Sequence, residues 1–294
     1  VEQPINKDKK RVFTLPAIVI VAIVTQIPLI LTIYDSLFRR IIVRPDLPRS
    51  FIGFTYYTDL FTSVEFWIVF KNTIALTVSS LVVCLLLGLL FALLLYKPFP
   101  GVGLARTLLI SPFFIMDSVI GVFWRNVMLQ PSYGLIHYAY NLFDLQAPDL
   151  LARNPLFVVI ILIIWKWTPF FLLVLIAGLQ NISQDMLDAA MVDGANAWNM
   201  FYRLILPSLR KYLSICLILG FIFIIKTFGL IFTTTKGGPG FSSTNFPFHV
   251  YRTTFLGWNI GKGAAIATVL VFISLIIIMI LFRMLRTLIM EHEL

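Results

Sequence analysis

Residues 188–207 read DAAMVDGANAWNMFYRLILP, and their setting decides how the chain folds. Upstream, residues 155–179 carry a single charge, Lys166; downstream, residues 212–235 carry only Lys226. A bilayer core of ~30 Å is crossed by ~20 helical residues, so both runs are long enough to span it and 188–207 joins two crossings. The joint does not have the composition of a disordered linker. Ser183 is an expected N-cap, Asp185 and Asp188 sit where a helix dipole favours anions, Gly194 is an expected hinge and Pro207 an expected break. The reading is two short helices hinged at Gly194, with Leu187, Ala190 and Met191 sharing one face.

The same length criterion finds spans at 12–34, 72–96, 107–129 and 263–282, six in all with the two above. In hydrocarbon only a self-satisfied backbone survives, so the spans are helices. Composition agrees: 59% of the 294 residues are hydrophobic and 13% charged, with a mean hydropathy of +0.93. That excludes a water-soluble fold. Lys7, Lys9, Lys10 and Arg11 precede the first span, as in a signal peptide, but the run is too long and lacks a small-residue cleavage site, which predicts an uncleaved span. The net charge of +9 is scattered between apolar blocks, which favours interfacial anchoring over nucleic acid. An even number of spans puts both termini on one side. With the termini inside, eleven Lys/Arg fall in inner segments and nine in outer ones, a weak bias.

The 188–207 stretch closely resembles the cytoplasmic loop motif of binding-protein-dependent ABC importer permeases. Asp188, Ala189, Ala190, Gly194, Leu206 and Pro207 fall on its positions, and Asp193 precedes the glycine; Asp188 stands where glutamate is usual and Leu204 where isoleucine is usual. The small alanines admit a partner surface, and Asp188 offers it a carboxylate. A second block, TTTKGGPGFSST at 233–244, resembles the T-x-G-G-P turn of maltose and glycerol-phosphate permeases, with Gly237, Gly238 and Pro239 as a rigid reversal. The likeness extends through FIGF at 51–54, RTLLISPF at 106–113, FWRNVMLQPSYG at 123–134 and WKWTPF at 165–170.

That resemblance implies an all-α polytopic membrane protein of the ABC importer type I permease fold, with six transmembrane helices and a cytoplasmic coupling helix in loop 180–211. It implies a cytoplasmic N-terminal tail (1–11), a permease domain (12–285), a cytoplasmic C-terminal tail (286–294) and a place in the bacterial inner membrane. Implied partners are a second permease subunit in a heterodimer, two ATP-binding subunits, a periplasmic or lipid-anchored solute-binding protein, a sugar-type substrate and membrane lipid, with no nucleic acid. No cofactor is expected in this chain, ATP and Mg being bound by the ATPase subunits.

Ionisable residues at membrane depth are candidates for function: Asp117, Arg125, Lys166 and Lys226. By the resemblance Gly220, Lys226 and Thr227 face the substrate path, and Trp124, Trp165 and Trp167 could wall a sugar site or serve as packing and belt residues. Arg39, Arg40, Arg44 and Arg49 hint at an anionic ligand or an acidic face on the binding protein. The sequence has no G-x-x-x-x-G-K-[ST] phosphate loop, and its three histidines lack ligand spacing, so no ATP site and no metal are expected. Cys84 and Cys216, inside apolar runs, read as core residues. An ion-coupled secondary transporter is the rival reading, but it would want more acids in the spans than Asp117.

Overall fold

The computed structural model describes residues 7–43, 46 and 48–290, with side chains described for 15–43, 46 and 48–285. Its helices in order are α1 Lys7–Ser36, α2 Thr55–Thr62, α3 Val64–Leu95, α4 Val102–Ile110, α5 Asp117–Phe123, α6 Leu135–Asn141, α7 Leu150–Arg153 and α8 Pro155–Gln180. They continue with α9 Gln184–Val192, α10 Ala197–Met200, α11 Leu206–Ser208, α12 Arg210–Ile225, α13 Gly229–Thr233, α14 Phe246–Tyr251 and α15 Ile260–Met290. An antiparallel pair of two-residue strands, β1 Phe38–Arg39 and β2 Ser50–Phe51, sets Phe38 opposite Phe51.

Leu15–Ser36, Val64–Leu95, Pro155–Gln180, Arg210–Thr233 and Ile260–Leu285 are long and apolar enough to cross a bilayer. The expected third span, 107–129, is not one straight helix. Val102–Phe114 and Asp117–Met128 meet at 99°, so a sixth crossing exists only as a broken one. Pro112 opens a tight turn, Ser111–Phe114, Ile115 and Met116 are extended (ψ 136° and 141°), and Asp117 restarts the helix, where its charge suits the N-terminus. The fifth span is also interrupted: α12 stops at Lys226 (φ −86°, ψ 7°) and the helix resumes at Gly229.

Two compact units divide the chain, residues 1–63 with 249–271, and 64–248 with 272–294. In the first, the segment after α1 is stitched to the start of α15: Ile42 N donates to the Trp258 carbonyl (3.0 Å) and Ile260 N to that of Arg40 (2.9 Å). The Tyr56 hydroxyl reaches Asn259 Oδ1 at 3.1 Å. Asp35 holds Arg49 at 2.9 Å and Arg40 at 3.4 Å, and Arg49 lies over the rings of Tyr34 and Phe38. Two of the loop arginines read as bait for an anion are therefore engaged within the unit, and Arg44 lies outside the described residues.

The second unit is built on α3 lying along α8, with α12 against both. Lipid gives no hydrophobic drive between apolar helices, so close packing must hold them. Glycines provide it. A Cβ on Gly88 would stand 2.5 Å from Phe171 Cβ, and one on Gly178 2.7 Å from the Tyr212 ring. Phe171, Leu172, Leu175 and Ile224 are fully buried at this seam, and Cys84 and Cys216 are buried free thiols.

Candidate functional site

The elbow begins with α9, whose end has a defined cause. Ala195 N donates to the Ala190 carbonyl (2.9 Å) and Gly194 N to that of Met191 (3.1 Å), the paired bonds of a Schellman stop with Gly194 at φ +79°. Asn196 then caps α10 by accepting from Asn199 N at 2.8 Å. The hinge expected at Gly194 is present, but three local expectations change. Ser183 occupies the N-cap position without a side-chain capping bond, Asp188 sits one turn beyond the first, and Pro207 does not break the chain. Residues 201–205 form a wider π turn in which Leu206 N bonds back to the Phe201 carbonyl, and Pro207 follows in the first turn of α11, where no donor is required.

The elbow's surface is open. Asp188 and Ala189 are exposed, and the Asp188 carboxylate is held by Gln184 Nε2 at 3.0 Å. Val192 is 88% exposed and Trp198 69%, both outside the apolar spans, so large side chains here have no core to pack into. Between the helices lies a notch of about 280 Å³ lined by Asp193, Gly194, Asn199 and Arg203 among others. Leu206 is half-buried.

The 233–244 turn is the opposite. Gly237 has φ +76°, and a Cβ there would meet Phe248 and Thr244 at 2.5 Å. The buried Thr244 hydroxyl donates to the Gly237 carbonyl (2.9 Å), and Ser243 donates to Thr235 Oγ1 (2.8 Å) and the Gly238 carbonyl (3.1 Å). From α3, Asn72 Nδ2 donates to the Phe241 and Thr244 carbonyls, while Thr73 accepts from Phe246 N. Pro239, at the exposed tip, follows Gly238 through a cis peptide.

The two span breaks meet. A Cβ on Gly229 would stand 2.7 Å from Asp117 Cβ, and Gly121 lies directly on Thr233. Asp117 forms an ion pair with Lys166, whose Nζ also donates to the freed Ile115 carbonyl at 3.1 Å. Lys166 is thus a buried brace of the broken third span. At the fifth-span break Asn245 Nδ2 donates to the carbonyl of buried Thr227 at 2.6 Å, and exposed Lys226 lies over the Phe223 ring. A Cβ on Gly220 would stand 2.5 Å from Phe171 and 2.9 Å from Leu81, so this glycine packs closely between α3 and α8.

Residues 107–287 match the family described as binding-protein-dependent transport system inner membrane component. The chain belongs to this family. The permease is 37% identical to the Probable ABC transporter permease protein y4oQ of Sinorhizobium fredii, over 93% of this chain and 89% of that protein. It is 31% identical to the trehalose/maltose transport system permease protein MalF of Thermococcus litoralis, over 90% of each. Its fold matches a chain of a bacterial ABC transporter involved in the import of the acidic polysaccharide alginate, with TM-score 0.79 and 24% identity, over 96% of this chain and 98% of that one.

The permease is therefore a multi-pass inner-membrane transport component, which decides against the ion-coupled rival. Of its tryptophans, Trp167 stacks on Phe223 (4.9 Å), while Trp124 and Trp165 meet edge to face at 5.7 Å. Arg125 lies elsewhere, in the wall of a cavity that includes Gly238 and Pro239. Among the described residues no group of three His, Cys, Asp or Glu is placed to hold a metal. Sequence reasoning found Asp117 and Lys166 separately but missed their pairing, and it missed Asn72, Thr73 and Asn245. The available signal was polar side chains at the ends of apolar runs.

Proposed function

We propose that the permease imports a saccharide as one of two membrane subunits, driven by two separate ATPase subunits that bind ATP and Mg, with an outer solute-binding protein delivering the sugar. In this arrangement both termini and the 184–207 elbow face the cytoplasm. The observation that carries the reading is the elbow itself: a capped short helix with small residues, an exposed carboxylate, stranded apolar side chains and a notch, as a docking joint requires. The saccharide assignment draws on the trehalose/maltose relative. The ATPases would move the elbow as a lever, switching the bundle between two access states by rigid-body motion. Coupling requires nucleotide and sugar each to bind the two states with different affinity. Asp117, Lys166 and the breaks they brace would hold the bundle's shape, with Lys226 and the surroundings of Thr227 nearest the path.

The test is uptake by proteoliposomes holding the whole importer. Asp188→Lys should abolish ATP-driven sugar accumulation with membrane insertion and thermal stability near wild type, and Gly194→Val should abolish it with insertion intact but at a stability cost of ~1 kcal/mol or more, from a β-branched residue at φ +79°. Uptake at the wild-type rate by both variants would remove the lever from the mechanism, and accumulation without any ATPase would remove the ABC coupling altogether.

A further inference from the structure

A cavity of about 490 Å³ opens beside the 233–244 turn, within the ~300–1,000 Å³ of small-molecule sites. Its wall draws on four separate segments: the π turn Trp124–Met128, residues 130–132, the start of α7, and the turn. Arg125 projects from the π turn, half-buried, with no hydrogen-bond or ion-pair partner among the described residues. Facing the same space is Asp149, whose Oδ1 is engaged by Ala152 N at 2.9 Å in capping α7. Gln130, Ser132 and Thr235 add polar residues to the lining, and Pro131, Leu151 and Pro239 supply apolar surface.

The chemistry of this wall selects its ligand. The Arg125 guanidinium only donates hydrogen bonds and the Asp149 carboxylate accepts them, so the group that satisfies both must carry donors and acceptors side by side. Adjacent hydroxyls on a ring do so. An anion would suit Arg125 but be repelled by Asp149, and a purely apolar ligand would leave both unpaired. The prolines and the hydrogen-bonded turn hold the wall rigid in advance, which lowers the entropic cost of binding.

We propose that this cavity is an outer subsite for an uncharged saccharide ring, gripped between Arg125 and Asp149 before it enters the path. The inference rests on the saccharide reading above and adds a place and a specificity. It is tested with the complete importer in nanodiscs, by saturation-transfer NMR without the solute-binding protein and by uptake with it, using maltose, trehalose and glucuronate as probes. A neutral disaccharide should bind the wild type in preference to glucuronate. Arg125→Ala should weaken that binding about tenfold or more, and Ala152→Trp, which fills the cavity, should abolish it. In uptake, Arg125→Ala should raise KM while kcat at saturating sugar stays within about twofold. Binding and KM unchanged in both variants would overturn the subsite while leaving sugar import standing. So would tighter binding of glucuronate, or variants that weaken only the docking of the solute-binding protein. If the wild-type importer takes up none of the probes, the saccharide reading and the subsite fall together.

Discussion

The elbow and the 233–244 turn both bend on a glycine of positive φ, Gly194 at +79° and Gly237 at +76°, and there the likeness ends. Around Gly194 nothing lies within 4 Å of where a Cβ would stand, and Met191, Val192, Asp193 and Asn196 beside it are exposed. Gly237 is walled in by Phe248 and Thr244, with buried Ser243, Thr244 and Asn245 all hydrogen-bonded. One glycine supplies conformation alone; the other supplies conformation and space. The proposed docking joint thus leaves its own side chains unspent, whereas the turn closes on itself. The contrast is one of an open bend against a closed one.

The sharpest way to break that contrast is to add one methyl group to each bend. Gly237→Ala combines left-handed strain with overpacking against Phe248, and should cost ~3 kcal/mol, read as a lowered unfolding temperature of the detergent-solubilised permease. Gly194→Ala carries only the strain, ~1 kcal/mol. Equal costs would mean the turn can yield as freely as the elbow. Between them falls Asn72→Ala, which strips the Phe241 and Thr244 carbonyls of a shared donor and should cost ~2 kcal/mol by the same measurement. A loss no larger than at Gly194 would show that α3 does not clamp the turn.

How far the sequence reveals these two regions follows from what each depends on. The elbow depends on local rules: Gly194 ends a helix because a left-handed residue is needed there, and its neighbours are close in sequence. It was legible, apart from the missing Ser183 capping bond, the place of Asp188 beyond the first turn, and Pro207, where a π turn upstream lets the helix run through a proline and composition does not announce such a turn. Spans were legible by length and apolarity, which is why all the long helices were found. Hydropathy carries no direction, however, so the 99° bend between Val102–Phe114 and Asp117–Met128 was invisible, although SPFFIMD holds its causes in Pro112 and Asp117. The turn's glycines were legible as a reversal, but what makes it rigid comes from Asn72 and Thr73 on a distant helix. The pairing of Asp117 with Lys166 is likewise a product of the bend, since only a broken third span presents that carboxylate and the Ile115 carbonyl to α8 together.

The smallest expected effect lies in the other unit, where Tyr56 and Asn259 tie α2 to the start of α15. Asn259 Oδ1 also accepts from Lys262 N at 3.0 Å, so Tyr56→Phe leaves no acceptor stranded and should cost ~0.5–1 kcal/mol. Burial pushes the Tyr56 phenol above its ordinary 10.0, against the smaller lowering effects of its hydrogen bond to Asn259 and of the Arg39 charge. The folded state therefore favours the neutral phenol. Its contribution is whole below pH 10 and fades as the pH climbs through the raised folded value, because the unfolded chain then gains the phenolate first. Hydrogen exchange at the Ile42 and Ile260 amides, which bond to the Trp258 and Arg40 carbonyls, reads this tie directly. Protection in the wild type should fall as the pH rises above 10.0 by more than base-catalysed exchange explains, and Tyr56→Phe should remove that excess. If the excess persists in the variant, a different group controls the stitch and Tyr56 is only a packing residue beneath it.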